Sequence, residues 1–225
     1  MKRNVYFWHD RPNFGDTLAH TLLNTLGIEH ERSKPEIADL IVTGSILEHM
    51  PSGWHGTIAG AGKLRESSDV RIRLRNADIK AIRGPLSAKG IRGDFALGDP
   101  GLLASLVVNP RPATHDLGIV RHWSDDKITR RFAYGWVIDP GRGAKAVIED
   151  IASCRRIISS SLHGIIVADA LGIPRQAEPF DSTFKWFDYA AALGEDPQFG
   201  KLTMPNQNAI ERRQGELLDV LRSLA

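Results

Sequence analysis

The chain has few of the residues from which disulfide scaffolds and metal sites are built. Only one of its 225 residues is cysteine, Cys154, which excludes an internal disulfide framework and is typical of a reducing compartment. Cys154 stands just before an apolar run, so we expect a passive thiol rather than a nucleophile. The eight histidines are scattered and form no His-x-x-x-His pair. We therefore expect no metal site.

Long apolar runs and a strong charge of one sign are also missing. No stretch approaches the ~20 apolar residues that a membrane-spanning helix needs, and residues 1–8 do not have the pattern of a secretory signal peptide. The formal net charge is only +2, which argues against a dedicated nucleic-acid partner. These features predict a cytoplasmic protein.

Three common catalytic signatures are absent from the sequence. There is no Gly-x-Ser-x-Gly, no P-loop, and no Gly-x-Gly-x-x-Gly after the first apolar run. Hydrolase, ATPase and dehydrogenase functions therefore lack their usual support.

Short apolar runs alternate with helical patterns, which predicts an α/β fold with parallel sheets. Pro110 and Pro112 interrupt this alternation, so we expect two Rossmann-like domains, at residues 1–110 and 111–225, that face each other across a cleft. The closing segment carries an apolar stripe at helical spacing, and its default role is packing against the core.

Four local features complete the expected secondary structure. Arg71, Arg73 and Arg75 alternate with apolar residues, which predicts an edge strand with a solvated arginine face. Pro85 is expected at the first position of a helix, and Asp16 at a helix N-cap. Residues 132–138 are expected to form one strand.

Residues 157–164, Ile-Ile-Ser-Ser-Ser-Leu-His-Gly, carry the strongest functional signal. The pattern predicts a buried strand, a small polar turn and a helix with His163 in its first turn. Such a helix directs free backbone N–H groups and the positive end of its dipole toward the turn. An anionic ligand is the natural occupant.

Other polar turns follow predicted strands in the same way. In open α/β sheets ligands bind beyond the carboxyl ends of the strands, so these turns would line one cleft. Taken singly, each has a structural explanation as a cap, a tight turn or a surface lysine. The turns are Asn13-Phe14-Gly15-Asp16, Arg83-Gly84-Pro85 and Gly98-Asp99-Pro100-Gly101, with Lys185 further along the chain.

In this order the motifs resemble those of the polysaccharide pyruvyltransferases, and most closely the bacterial ketal-pyruvate transferases of the xanthan and succinoglycan type. The resemblance covers about residues 4–190. The motifs that carry it are Asn13-x-Gly15-Asp16, Thr43-Gly44-Ser45, Gly60-x-Gly62, Ile82-Arg83-Gly84-Pro85, Gly98-Asp99-Pro100-Gly101, Ser159-Ser160-Ser161-Leu162-His163-Gly164 and the segment around Lys185.

The resemblance implies a fold like the two-domain GT-B glycosyltransferases and transfer of pyruvate from phosphoenolpyruvate to a hydroxyl pair of a terminal hexose. The 1–110 domain would then bind the acceptor and form part of the donor site, and the 111–225 domain would bind the donor. The co-substrate would be phosphoenolpyruvate, with no other cofactor. A lipid-linked acceptor would bring the protein into peripheral contact with the inner membrane face.

The same resemblance implies roles for individual residues. Arg83, His163 and Lys185 match the basic residues of donor binding and catalysis, and the helix start adds donor contacts. We expect Asn13 and Asp16 to bind the acceptor, with Asp16 also orienting or deprotonating its hydroxyl. The predicted catalytic residues are His163, Arg83, Lys185 and Asp16, and the predicted donor-binding residues are Arg83, Ser160, Ser161, His163, Gly164 and Lys185.

Two alternatives remain open from the sequence. A GT-B-like glycosyltransferase or nucleotide-sugar epimerase would share the fold but needs a carboxylate to hold a ribose, and Glu178 is the one suitably placed after a strand. A non-catalytic relative that binds glycans is the other alternative. Residues 194–205 follow no recognisable pattern, and the chain is short for the family.

Overall fold

The computed structural model describes residues 2–109 and 111–225. Met1 and Pro110 lie outside the described residues, and the predicted boundary at residue 110 falls on one of them. The strands form two sheets, one from residues 3–97 and one from residues 118–203. The predicted α/β class with two parallel-dominated sheets is therefore confirmed, and the exact division into domains stays a prediction.

The first sheet is parallel throughout and has the strand order β2-β1-β3-β4-β5-β6. The second has the order β11-β10-β9-β7-β8, in which β11 alone is antiparallel to its neighbour. The strands are β1 (Arg3–Val5), β2 (His30–Arg32), β3 (Leu40–Ile41), β4 (Thr57–Ala59), β5 (Asp78–Ile82), β6 (Ala96–Leu97), β7 (Gly118–Val120), β8 (Trp136–Ile138), β9 (Ile157–Ser159), β10 (Arg175–Ala177) and β11 (Leu202–Thr203).

Helices connect the strands in both halves of the chain. The α-helices are α1 (Phe14–Thr25), α2 (Arg71–Leu74), α3 (Lys127–Arg131), α4 (Ala144–Ala152), α5 (Leu162–Ala170), α6 (Phe184–Ala192) and α7 (Gln207–Arg222). Short 3-10 helices lie at Leu47–His49, Pro100–Leu106 and Pro140–Arg142.

The central strands β3, β7 and β9 are buried on both faces because helices cover both faces of each sheet there. Consecutive residues of one strand therefore enter different apolar clusters: Leu40 enters the central cluster and Ile41 the outer cluster of the first sheet. In the second sheet Ile157 enters the central cluster and Ile158 a separate outer one. The central cluster contains residues from both sheets, so a continuous apolar core joins the two halves.

Each sheet has one point at which the order of its strands reverses. In the first sheet this switch lies between β1 and β3, and in the second between β7 and β9. Loops that leave the carboxyl ends of strands on either side of a switch diverge and leave a crevice in which ligands bind. The two switches therefore predict where a site should be found.

The segment that contains three alternating arginines is helical, and the predicted edge strand was wrong. Val70 and Leu74 are buried, whereas Ile72 is 65% exposed. Apolar burial four residues apart is the helical period, and Ile72 would have to be buried as well if the segment were a strand. The alternation of residue types was therefore not an alternation of environment.

Three other local predictions need correction. Pro85 begins a series of turns rather than a helix, because the Ser87 N–H donates to the Asp188 carboxylate instead of continuing a helical ladder. Asn13 occupies the N-cap of α1, and Asp16 lies in its first turn. Phe132 ends α3, so the strand there starts only at Trp136.

The closing helix α7 returns from the second half to the first. It contacts β4, β5, β6 and the 3-10 helix Pro100–Leu106 as well as α5. Its buried residues Ile210, Leu217 and Leu221 belong to the central cluster, so the predicted packing role of its apolar stripe is confirmed.

Candidate active site

A cavity of about 350 Å³ lies where the strand switches of both sheets predict a ligand site. Most of its lining follows the carboxyl ends of β1, β3, β7 and β9, while Leu64 follows β4, and Asp181 and Lys185 follow β10. The residues that line it are Trp8, Asn13, Asp16, Ser45, Ile46, His49 and Leu64 from the first half, and His122, Trp123, Ser161, Leu162, His163, Asp181 and Lys185 from the second.

His163 is held on one side by a buried carboxylate. Its Nε2 lies 3.6 Å from Oδ2 of Asp99, and both atoms are buried without a hydrogen-bond partner among the described residues. The other oxygen of Asp99 accepts a hydrogen bond from the Gly101 N–H at 2.8 Å. Because a buried carboxylate needs compensation, Asp99 fixes the side on which the Nε2 edge of the imidazole lies.

The other side of the His163 ring rests against the first turn of α1. A Cβ added to Gly15 would lie 2.2 Å from Nδ1 of His163, far inside van der Waals contact. Phe14 contacts the same ring edge to face, with centroids 6.4 Å apart. The glycine of the Asn13-x-Gly15-Asp16 motif is therefore required by a histidine that follows it by 148 positions in the chain.

The α1 and α5 helices both begin at the cavity. Neither N-cap side chain, Asn13 for α1 or Ser161 for α5, accepts a hydrogen bond from its own helix. The first backbone N–H groups of a helix have no partner within it, so both starts can donate to a ligand. Two positive helix ends at one cavity favour an anion there.

Asp16 and Asn13 meet at the same cavity wall. Asn13 Nδ2 donates to Asp16 Oδ2 at 2.6 Å. Burial raises the pKa of Asp16, and the positive charge on His163 and the hydrogen bond from Asn13 lower it in part. The carboxyl group thus retains its proton to a higher pH than an exposed aspartate does.

Lys185 brings a cation to the same cavity, and its charge also lowers the pKa of Asp16. It lies in the first turn of α6, and its Nζ is 3.2 Å from the Asp181 carboxylate. Burial lowers the pKa of the nearby His122, and the charge on Lys185 lowers it further. The lowered pKa favours the neutral form of the His122 ring.

Arg83 lies behind the cavity wall rather than on it. The side chain is 1% exposed, and its Nε donates to Asp188 at 2.9 Å. Its other donors bind the Lys63 carbonyl at 2.6 Å and the hydroxyl of Ser45, which does line the cavity, at 2.5 Å. The predicted contact between Arg83 and the donor would require exchange of one of these partners.

Glycines make room for this ion pair. A Cβ on Gly62 would lie 2.4 Å from the Arg83 guanidinium carbon, and one on Gly84 would lie 1.9 Å from the carbonyl oxygen of Asp188. The Gly60-x-Gly62 and Arg83-Gly84-Pro85 motifs therefore share one physical cause.

The structure brings five predicted site residues together and places three others behind them. Asn13, Asp16, Ser161, His163 and Lys185 line one cavity. Arg83, Ser160 and Gly164 do not. Ser160 Oγ accepts from the His122 N–H at 2.8 Å, and Gly164 allows α5 to approach Ser159, whose Oγ would lie 2.3 Å from an added Cβ.

Sequence reasoning missed Asp99, His122, Trp8 and Trp123 as site residues. Asp99 stands in a recognised motif, but its sequence could equally mark a simple turn. The other three follow central strands without a motif; the only available signal was their position, two or three residues after β1 or β7.

A second cavity, of about 470 Å³, lies between α6 and β10, and no predicted site residue lines it. Within residues 2–109 and 111–225 no group of histidine, cysteine and acidic side chains is arranged to hold a metal ion. No helix in the described part of the chain is long and apolar enough to cross a membrane.

The comparison with known families agrees with the arrangement of the motifs. The model of the polysaccharide pyruvyl transferase family matches residues 50–175, more than half of the chain, and the chain belongs to this family.

Two curated relatives match the chain at 28% and 32% identity. The chain is 28% identical over 213 residues to the succinoglycan biosynthesis protein ExoV of Rhizobium meliloti (strain 1021), which covers 84% of this chain and 64% of the relative. It is 32% identical over 165 residues to the uncharacterized protein L143 of Acanthamoeba polyphaga mimivirus, covering 64% of this chain and 57% of the relative. The chain thus spans less than two thirds of the length of both curated relatives.

A solved structure shares the fold. The crystal structure of a functional uncharacterized protein, KP1_0663, from Klebsiella pneumoniae subsp. pneumoniae NTUH-K2044 superposes with a TM-score of 0.51 at 12% identity. The match covers 84% of this chain and 86% of that one.

The contact between Gly15 and His163 can be tested by stability. Gly15→Ala should lower the free energy of unfolding by about 1–3 kcal/mol, because the added methyl group overpacks the His163 imidazole. Gly215→Ala is the matched control: Gly215 also lies in a helix but has no atom within 4 Å of its added Cβ, so it should gain up to about 1 kcal/mol. Urea denaturation measures both, and equal gains would refute the contact.

The Arg83–Asp188 pair can be tested against the neighbouring Lys185–Asp181 pair, in which the carboxylate is exposed. Asp188→Ala should cost about 3–5 kcal/mol in unfolding free energy, since it leaves a buried guanidinium without its counter-charge. Asp181→Ala removes the exposed partner of Lys185 and should cost less than about 1 kcal/mol. Chemical denaturation of both variants measures the difference, and similar small losses would contradict the buried-pair assignment.

Proposed function

We propose that the protein transfers pyruvate from phosphoenolpyruvate to a hydroxyl pair of a terminal hexose in exopolysaccharide biosynthesis, which forms a cyclic ketal and releases phosphate. The observation that carries the proposal is the convergence of His163, Lys185, Asp16 and two helix starts on one cavity. Family membership and the succinoglycan biosynthesis name of one relative support the same activity. The two halves then act as a GT-B-like pair with the cavity as their shared cleft.

The cavity suits a small molecule with two anionic groups. Phosphoenolpyruvate carries a phosphate and a carboxylate, which the start of α5 with Ser161, together with Lys185 and His163, would hold. Arg83 supports this wall from behind, because it fixes the hydroxyl of Ser45 and the helix that carries Lys185. Ser160 and Gly164 act through the geometry of the same turn.

The first addition joins one sugar oxygen to C2 of the donor. The π electrons of the C2–C3 bond take a proton from the His163 imidazolium at C3, and the acceptor oxygen bonds to C2. The proton of that hydroxyl passes to the Asp16 carboxylate. His163 leaves this step neutral and Asp16 leaves it protonated.

The second addition restores both groups. The second hydroxyl bonds to C2 and gives its proton to His163, while the C2–O bond to phosphate breaks and its electron pair leaves with phosphate. The proton held by Asp16 passes to the departing phosphate. Asp99 and Gly15 act as positioning residues, because they fix the two sides of the imidazole.

The alternative functions have less support. Both carboxylate oxygens of Glu178 are occupied, one by Arg131 and the other by Gln176, each at 2.7 Å, and Glu178 does not line the cavity. A nucleotide-dependent glycosyltransferase would thus lack the ribose-binding carboxylate that the sequence suggested. A non-catalytic glycan-binding relative would not need a histidine held on both sides. A lipid-linked acceptor would bring the cavity to the inner membrane face.

The decisive assay measures phosphate released from phosphoenolpyruvate with a panel of mannose, glucose and galactose glycosides. His163→Ala should lower kcat by about 100-fold to 10,000-fold, since a general acid is removed. The exposed His55, outside the cavity, gives the control His55→Ala with unchanged rates. A folded His163→Ala protein of near wild-type activity would exclude the assigned role. Stabilisation by UDP-sugars but not by phosphoenolpyruvate in a thermal-shift measurement would favour the glycosyltransferase.

Asp16 should set the acidic limb of the pH–rate profile. Its ionised form accepts the hydroxyl proton, and burial raises its pKa, so kcat/KM should fall with decreasing pH at a value above the ordinary aspartate range of about 4. Asp16→Asn should lower the rate and remove this limb. A variant profile that keeps the wild-type acidic limb would show that another group titrates there.

A further inference from the structure

Two indole rings, one from each half of the chain, form an aromatic wall of the active-site cavity. Trp8 is the third residue after β1, and Trp123 is the third residue after β7. Their ring centroids lie 6.5 Å apart with the planes inclined by 30°, and both line the cavity. The aromatic wall, Trp8 and Trp123, thus stands at corresponding positions beside the two strand switches.

Trp8 packs against the outer cluster of the first sheet, but neither indole is fully buried. Both are half-buried, whereas Trp54 and Trp186 are 4% and 2% exposed. When a ligand covers apolar surface that is open inside a cavity, the free energy of the complex falls because water leaves that surface. The guanidinium carbon of Arg11 lies 4.6 Å from the Trp123 ring centre and restrains that ring from another side.

The rest of the cavity lining carries two kinds of polar group. His163, Lys185 and the start of α5 provide the cations and N–H groups that an anion needs. The same lining contains the hydrogen-bonding side chains of Asn13, Ser45 and His122, and the His122 ring lies 5.4 Å from that of Trp123. An apolar face surrounded by such groups matches a pyranose ring, which presents C–H bonds on its face and hydroxyls around its edge.

We propose that the aromatic wall binds the ring of the terminal hexose by stacking and so selects a pyranose acceptor. The proposal rests on the proposed function, because it names the acceptor subsite of that reaction. The wall would hold the ring while its hydroxyl pair points toward Asp16 and the donor. A cavity of about 350 Å³ is at the small end of ligand pockets, so the terminal sugar enters and the rest of the glycan stays outside.

The competing explanation is that the two indoles only pack the halves of the chain together. Packing predicts a loss of stability with equal effects on donor and acceptor. Stacking on a sugar predicts a selective effect on the acceptor. The two explanations therefore differ in measurable quantities.

The experiment combines steady-state kinetics with a binding titration in wild type, Trp8→Ala, Trp8→Phe and Trp123→Ala. Trp8→Ala should raise the acceptor KM about tenfold, as loss of an aromatic anchor does, while the KM for phosphoenolpyruvate changes less than about twofold. Trp8→Phe keeps an aromatic face, so its acceptor KM should lie between those of wild type and Trp8→Ala. This variant tests the proposal if the alanine variant does not fold. The control is Trp136→Ala, since Trp136 is also half-buried and stacked, on His115 at 3.9 Å, but outside the cavity.

Methyl glycosides are also titrated with indole fluorescence as the readout, which needs no turnover. The subsite is supported if the glycoside dissociation constant rises in Trp8→Ala and stays unchanged in Trp136→Ala. This holds even if wild type releases no phosphate, an outcome that would refute the proposed function alone. The subsite is overturned if no glycoside gives a saturable change. It is also overturned if donor and acceptor KM rise together with a fall in Tm, or if the acceptor KM does not change.

Discussion

The buried ion pair between Arg83 and Asp188 is the contact on which the site depends. It joins the end of β5 in the first half to α6 in the second, with both side chains at most 1% exposed. Asp188 also accepts hydrogen bonds from the N–H and hydroxyl of Ser87. Because α6 carries Lys185, the pair brings a cation from one half into the cavity that Asp16 of the other half lines. A buried charge without its partner would destabilise the protein, so the ion pair favours one relative position of the two halves.

The same constraint explains why small residues recur in the motifs. Gly62 and Gly84 leave space for the ion pair, and Gly15 leaves space for the imidazole of His163. Each serves a close approach between segments far apart in sequence. The central apolar cluster includes residues of α1, α5 and α7, and its packing fixes the positions of these segments relative to one another. Packing and electrostatics thus act on one cavity: the core fixes the helix starts, and the ion pair fixes the cation.

The division of chemistry within the cavity follows from topology. Each sheet contributes one switch between strands, and the loops that diverge there supply a charged wall from β9 with α5 and an aromatic residue after β1 and β7. The proposed donor, which has two anionic groups, and the proposed acceptor, which has an apolar face, can then lie side by side. This is the arrangement that a transfer between two small molecules needs, because proximity and orientation lower the barrier.

The sequence alone determined the α/β class and predicted five of the fourteen residues that line the cavity, because apolar periodicity and helix-start chemistry are local. Local patterns failed where distant contacts decided the outcome. Ile72 is exposed although its neighbours predict a strand, and Ser87 bonds to Asp188 instead of continuing a helix. Only the tertiary structure placed Arg83 behind the wall, Asp99 beside His163, and Trp8 opposite Trp123. Those pairings join residues about 60–115 positions apart, and no local spacing encodes which of them meet.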